Sequence, residues 1–113
     1  MLPGSQKLHL NKDFDQVFKT GRSLYGRFLG VKVLKNQLKD HRFAIILGLK
    51  IDKSAVKRHF YKRRLFNLVA VFAPKLPFPL DCVIIALPAL KEAKAAELRQ
   101  EMDYIFSKIR DIL

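Results

Sequence analysis

The stretch Phe43-Ala44-Ile45-Ile46-Leu47-Gly48-Leu49, taken with the residues that follow it to position 87, decides the fold. Residues 43–49 form a β-branched apolar run, as expected of a strand buried on both faces. Asp52 or Ser54 can cap the helix that comes next. Its apolar stripe is Tyr61, Leu65, Leu68, Val69 and Phe72, and Ala73-Pro74 should stop it. Residues 74–79 hold three prolines in six positions and read as a rigid, irregular link. Residues 81–87 are then another short apolar strand, ended by Pro88.

Upstream, Asn11 can cap a short helix with Asp13 in its first turn and Phe14, Val17 and Phe18 at helical spacing. Thr20-Gly21 ends it, the glycine suiting a left-handed cap. Residues 24–34 read as one extended segment, with Leu29, Val31 and Val33 on one face and Phe28, Gly30 and Lys32 on the other. Residues 36–42 are polar and read as a hairpin loop. Downstream, Leu98, Met102, Ile105, Ile109 and Leu113 mark an amphipathic last helix. The order is α-β-β-α-β-α, an α+β chain expected to form a small two-layer α-β sandwich. A chain of 113 residues supports one domain spanning all of them, with residues 1–6 read as a flexible tail.

Charge narrows the function. Twenty-two Lys and Arg face 10 Asp and Glu, a net charge of +12, so a polyanion is the natural partner. From Leu90 onward five basic and five acidic residues cancel, and the whole excess lies in residues 1–89. Half of it falls in residues 50–64, where seven basic residues meet only Asp52. The longest apolar run, residues 82–90, has nine residues and contains Pro88, far short of a membrane span. The amino terminus shows no secretory pattern, and a single cysteine forbids an internal disulfide. The expected setting is the cytoplasm.

On the central helix, Arg58 and Lys62 are four residues apart, as are His59 and Arg63, which puts all four on one broad face. Lys53, Lys57 and Arg64 flank the apolar stripe on its other side. Like charges at this spacing cost a few tenths of a kcal/mol per pair, roughly, unless an anion neutralises them. With acids nearly absent from the window, that anion is expected to be nucleic acid.

At this point the residues resemble a family. Arg58-His59-Phe60-Tyr61-Lys62-Arg63 is similar to the Arg-Asn-x-x-Lys-Arg signature of the bacterial ribonuclease P protein subunit. Asp13-Phe14, Val17-Phe18 and Gly21 resemble the family's opening helix, Arg42-Phe43-Ala44-Ile45-Ile46 its second strand, and Asp81-Cys82-Val83-Ile84-Ile85-Ala86 its last. The resemblance implies a ribosomal-protein-like sandwich with a left-handed βαβ crossover through the basic helix, against the usual handedness. It also implies a protein that is not the catalyst. Such a protein assists a catalytic RNA that uses Mg²⁺ to remove the 5′ leader of precursor tRNA. The expected partners are the ribonuclease P RNA and precursor tRNA, with no obligate protein partner and no membrane.

The resemblance places Lys53, Lys57, Arg58, His59, Lys62, Arg63 and Arg64 against the catalytic RNA. It places the leader in a cleft between the sheet and the opening helix. There Phe14, Phe18 and Phe28 would stack on bases, and Lys32 and Lys50 would meet phosphates. Four positions depart from the family pattern. His59 stands where the family has Asn, Leu49 replaces one of two paired lysines, Phe60 replaces a basic or polar residue, and Lys32 stands where some members carry an aromatic. His59, an imidazole that can gain charge near neutrality, is expected to make RNA affinity rise as pH falls.

The chain itself offers no convincing catalytic group. His9, His41 and His59 are far apart, Cys82 sits inside an apolar strand, and the five glycines form no phosphate-cradling loop. Asp13 and Asp15 alone could hold Mg²⁺ only weakly, and no cofactor or metal is expected on the protein. The main alternative is a ribosomal-type or general RNA-binding protein with no part in tRNA cleavage. A metal-dependent nuclease acting alone and a DNA-binding helix-turn-helix are weaker readings.

Overall fold

The computed structural model describes residues 11–47 and 51–113. Helix α1 (Asn11–Thr20) leads into strands β1 (Arg22–Tyr25), β2 (Leu29–Lys35) and β3 (Arg42–Ile46). Helix α2 (Ala55–Phe72), a 3-10 turn at Ala73–Lys75, strand β4 (Leu80–Ala86), a second 3-10 turn at Pro88–Glu92 and helix α3 (Ala95–Ile112) complete the chain. The four strands form one sheet in the order β1-β2-β4-β3. β1 and β4 both run antiparallel to β2, whereas β3 runs parallel to β4, so α2 and its turn join two parallel neighbours. This is the expected α+β class, with a βαβ unit through the basic helix.

The burial pattern follows the alternation of the strands. Leu29, Val31 and Val33 of β2, Phe43 and Ile45 of β3, and Leu80, Cys82 and Ile84 of β4 share one large core with α2 and α3. Leu65, Phe66, Val69 and Phe72 carry α2 into it, and Leu98, Met102, Ile105, Phe106 and Ile109 carry α3. On the other face α1 buries Val17 against Val83, with Phe14, Leu34, Ala44, Ile46 and Ile85 packed around the pair. α1 thus adds a partial third layer to the expected two and leaves part of that face half-exposed.

Three local expectations are corrected. Residues 24–34 are not one strand but two, paired antiparallel with Tyr25 opposite Gly30. The Gly26 amide donates to the Leu29 carbonyl at 2.8 Å, closing the turn. The Glu101 carboxylate of α3 then accepts the amides of Arg27, Phe28 and Leu29 at 2.6, 2.8 and 2.8 Å. Residues 36–42 are not a hairpin loop, because β4 inserts between β2 and β3. That insertion also makes β3 an edge strand with half-exposed Ala44 and Ile46, and β4 the strand covered on both faces.

Gly21 ends α1 for a different reason than the one expected. Among the described residues no glycine adopts positive φ. The Gly21 amide donates to the Val17 carbonyl at 2.8 Å, and a side chain there would collide with the carbonyls of Val17 and Val33. Glycine is needed because the end of the helix approaches β2 this closely.

Candidate nucleic-acid interface

Helix α2 starts at Ser54, whose Oγ accepts the Lys57 amide at 3.3 Å, while the Asp52 carboxylate accepts the Ser54 amide at 2.9 Å. That amide, aided by Lys91 at 3.6 Å, holds Asp52 below the usual carboxylate range. No acidic residue follows in the first turn, so Lys53 and Lys57 add to the positive end of the helix dipole. Arg58 is drawn inward instead. Its guanidinium donates to the carbonyls of Asp52 and Lys53 at 2.8 and 2.9 Å and ties the helix start to the loop before it.

Five of the seven expected RNA contacts line two depressions. Arg58, His59 and Lys62 line one depression of about 220 Å³ beside Ile45 and Leu47. Arg63 and Arg64 instead line a groove toward α3. Lys53, Lys57, His59, Lys62 and Arg63 are exposed, and Arg58 and Arg64 are half-buried.

On the opposite face, register builds a cleft. Ser23, Lys32, Val83 and Ala44 form one row across the sheet, and Tyr25, Gly30, Ile85 and Ile46 the next. α1 crosses these strands from Asp13, 3.0 Å from Arg42 of β3, to Phe18, whose ring lies 5.3 Å from the Lys32 ammonium. The Phe14 and Phe18 rings are 5.0 Å apart, and Phe18 remains 37% exposed. Lys32 also donates to Ser23 Oγ at 3.2 Å, which keeps its charge beside the rings. Phe14, Phe18 and Lys32 therefore meet.

Phe28 does not join them. It precedes β2 rather than belonging to it, is 4% exposed, and packs in the α2–α3 core on the far face of the sheet. The expected pairing of Phe28 with Lys32 assumes alternation through a position that is really in the turn. Lys50 and Leu49 lie outside the described residues, as does the amino-terminal tail of residues 1–6.

Two cleft residues escape the sequence reading. Tyr25 is 59% exposed, and its ring covers Gly30, where a Cβ would lie 2.5 Å from ring carbons. Only the pairing of a strand aromatic with a facing glycine could have signalled it. The other is Arg42, which joins α1 to the sheet. It forms two hydrogen bonds with Asp81 at 2.8 and 2.6 Å and a third with Asp13 at 3.0 Å. The bonds to Asp81, then the one to Asp13, raise the Arg42 pKa further. Asp13 is thus engaged by a guanidinium, and Asp15 is left exposed. Cys82 is fully buried, and that burial pushes its thiol far above the range in which a thiolate forms.

A family model described as Ribonuclease P matches residues 2–110. The ribonuclease P protein component of Acidothermus cellulolyticus is 31% identical over 112 residues, covering 96% of this chain and 92% of the relative. That of Synechocystis sp. is 30% identical over 108 residues, covering 95% and 87%. Among solved structures, the RNase P protein of Staphylococcus aureus superposes with a TM-score of 0.79 at 23% identity, over 95% of this chain and 96% of that one. The Thermotoga maritima RNase P protein gives 0.79 at 23% identity over 90% and 96%, a likeness of fold.

Proposed function

The chain belongs to the ribonuclease P protein family, and from that premise we propose that it binds the catalytic RNA through α2 and the 5′ leader of precursor tRNA through the α1 cleft. The observation that carries the reading is the meeting of Phe14, Phe18 and Lys32 on a half-covered sheet face, remote from the cations of α2. An aromatic pair beside an ammonium suits a single strand. Bases stack on the rings for about 1–3 kcal/mol each, and the lysine meets the backbone phosphate. Tyr25 extends the same floor from β1 and offers a further ring.

On α2, exposed Lys53, Lys57, Lys62 and Arg63 neutralise phosphates of a folded RNA and release its counterions. The inward-turned Arg58 holds the helix start in place for those contacts. The protein is an accessory subunit: Mg²⁺ serves the RNA's own cleavage chemistry, and this chain contributes affinity and position. It works in the cytoplasm, where precursor tRNA is made. Among the described residues no helix is long and apolar enough to cross a membrane.

The test is reconstitution with a ribonuclease P RNA. Addition of the protein should accelerate precursor-tRNA cleavage at low Mg²⁺ and tighten binding of leader-bearing substrate relative to mature tRNA. RNA binding without either effect would sink this reading in favour of a general RNA-binding protein.

A further inference from the structure

A groove of about 560 Å³ lies between α2 and the start of α3, on the sheet face away from the α1 cleft. Its lining includes Arg63, Arg64, Asn67 and Val71 from α2, together with Phe60 and, from α3, Arg99. Among the described residues no carboxylate lines it. Phe60 is 61% exposed and Val71 47%, although α2 has a buried face available to apolar residues elsewhere. The Phe60 ring is held edge-on to Tyr61, with centroids 5.7 Å apart and planes at 71°, so one side chain braces the other.

We propose that this groove binds one unpaired nucleotide of an RNA, its base stacked on Phe60 and its flanking phosphates held by Arg63, Arg64 and Arg99. The inference deepens the RNA-binding reading above and rests on it. The chemistry selects the occupant. An exposed ring among three arginines offers an apolar face to a base and cations to the phosphates on either side, and Asn67 can donate to and accept from a base edge. A second copy of the chain fits poorly, because a face-to-face pairing would crowd the arginines of both copies with no carboxylate in the lining to separate them.

The chain contains no tryptophan, so Phe60→Trp places a lone indole in the groove, excited selectively at wavelengths where tyrosine does not absorb. The probes are an eight-nucleotide oligoadenylate and an abasic strand of equal length, titrated into the full chain. Oligoadenylate should quench the reporter strongly, and the abasic strand should leave it nearly unchanged. Arg99→Gln in the same background should raise the midpoint of the oligoadenylate titration about fivefold. A second variant, Phe60→Ala, should bind labelled oligoadenylate about tenfold more weakly and the abasic strand equally well. Equal quenching by the two strands, or no quenching by either, overturns the proposal. So does protein self-quenching that grows with concentration alongside a dimer mass in sedimentation, which would give the groove to a second copy. Stimulation of precursor-tRNA cleavage by the unaltered chain is scored separately. Failure there with quenching intact refutes the function above, and success there without quenching refutes only this site.

Discussion

Arg42 and Asp81 stand directly opposite each other in the parallel β3–β4 pair and join through two side-chain hydrogen bonds of 2.8 and 2.6 Å. The geometry is the planar fork-to-carboxylate match that only arginine provides. Asp81 is 5% exposed and also accepts from Asn36 at 2.9 Å, so its charge is fully engaged. Because the same guanidinium reaches Asp13, one residue sets both the β3–β4 register and the position of α1 over the sheet. Asp81→Ala would leave that guanidinium half-buried with only Asp13 as a partner, at a cost of about 3 kcal/mol. Urea denaturation should show a lower midpoint at unchanged slope. Asp13→Ala should cost less, about 1 kcal/mol, yet weaken leader binding by freeing α1. Equal losses of stability in the two variants would refute this division of roles.

The Glu101 carboxylate organises the other edge. Three successive amides of the β1–β2 turn converge on it, and a side chain at Gly26 would run into it. Glu101→Ala strands those amides, two of them partly buried, and should destabilise the fold by about 2 kcal/mol. Hydrogen exchange at Phe28 and Leu29 should accelerate more than at Ile84 in the sheet centre. Gly26→Ala should mimic the loss by displacing the carboxylate instead of removing it.

These two carboxylates mark where the sequence was legible and where it was not. α1, α2, α3 and β4 could be read because their periodicity, caps and prolines are local properties of the chain. The break between β1 and β2 could not, since the group that enforces it lies 72 to 74 residues away. The edge position of β3 was hidden for a similar reason: no pattern within residues 43–49 shows that β4 will pair on only one side of it. Phe14, Phe18 and Lys32, expected from spacing and resemblance to share a cleft, do lie together. Phe28 was misplaced by one turn residue, and Tyr25 was overlooked because its value comes from the facing Gly30.

His41 makes stability depend on pH. Its Nδ1 accepts the Leu80 amide at 3.2 Å at the start of β4, a bond that protonation abolishes. Burial lowers its pKa from 6.5, against the opposing pull of Asp40. Below 6.5 the unfolded chain therefore binds the proton more readily than the folded one. The contribution of His41 should be fully present above about pH 6.5 and be lost as pH falls through the lower folded value. Thermal melts of the wild type and His41→Asn should differ in slope across that window and run parallel above it. Parallel curves throughout would show that His41 is not the titrating group.

Leader recognition is tested most directly at Phe18, whose ring lies 5.3 Å from the Lys32 ammonium and is exposed enough to meet a base. Phe18→Ala should reduce the preference for leader-bearing over mature tRNA by about tenfold, the loss of one stacked base. Affinity for mature tRNA should hardly change. Equal weakening of both substrates would place the leader elsewhere.

Under the proposed function, salt dependence should separate the α2 cations that meet RNA phosphates from those that hold the helix. Contact with about six phosphates gives a log–log slope of roughly −4 to −5 for RNA binding. Arg63 is exposed, and among the described residues no hydrogen bond or ion pair holds it. Arg63→Ala should flatten the slope by about one and leave stability within about 0.5 kcal/mol. Arg58 spends donors on the carbonyls of Asp52 and Lys53, so Arg58→Ala should cost about 1–2 kcal/mol of stability as well. Its effect on RNA binding should combine a lost charge with a loosened helix start, and added salt should mask only the first part. The ratio of Arg58→Ala to Arg63→Ala affinities should therefore stay below one by a similar factor at every ionic strength, because the lost-charge parts cancel and the helix-start part remains. A ratio of one throughout would mean that Arg58 acts on RNA as one more phosphate contact and not through the backbone it secures.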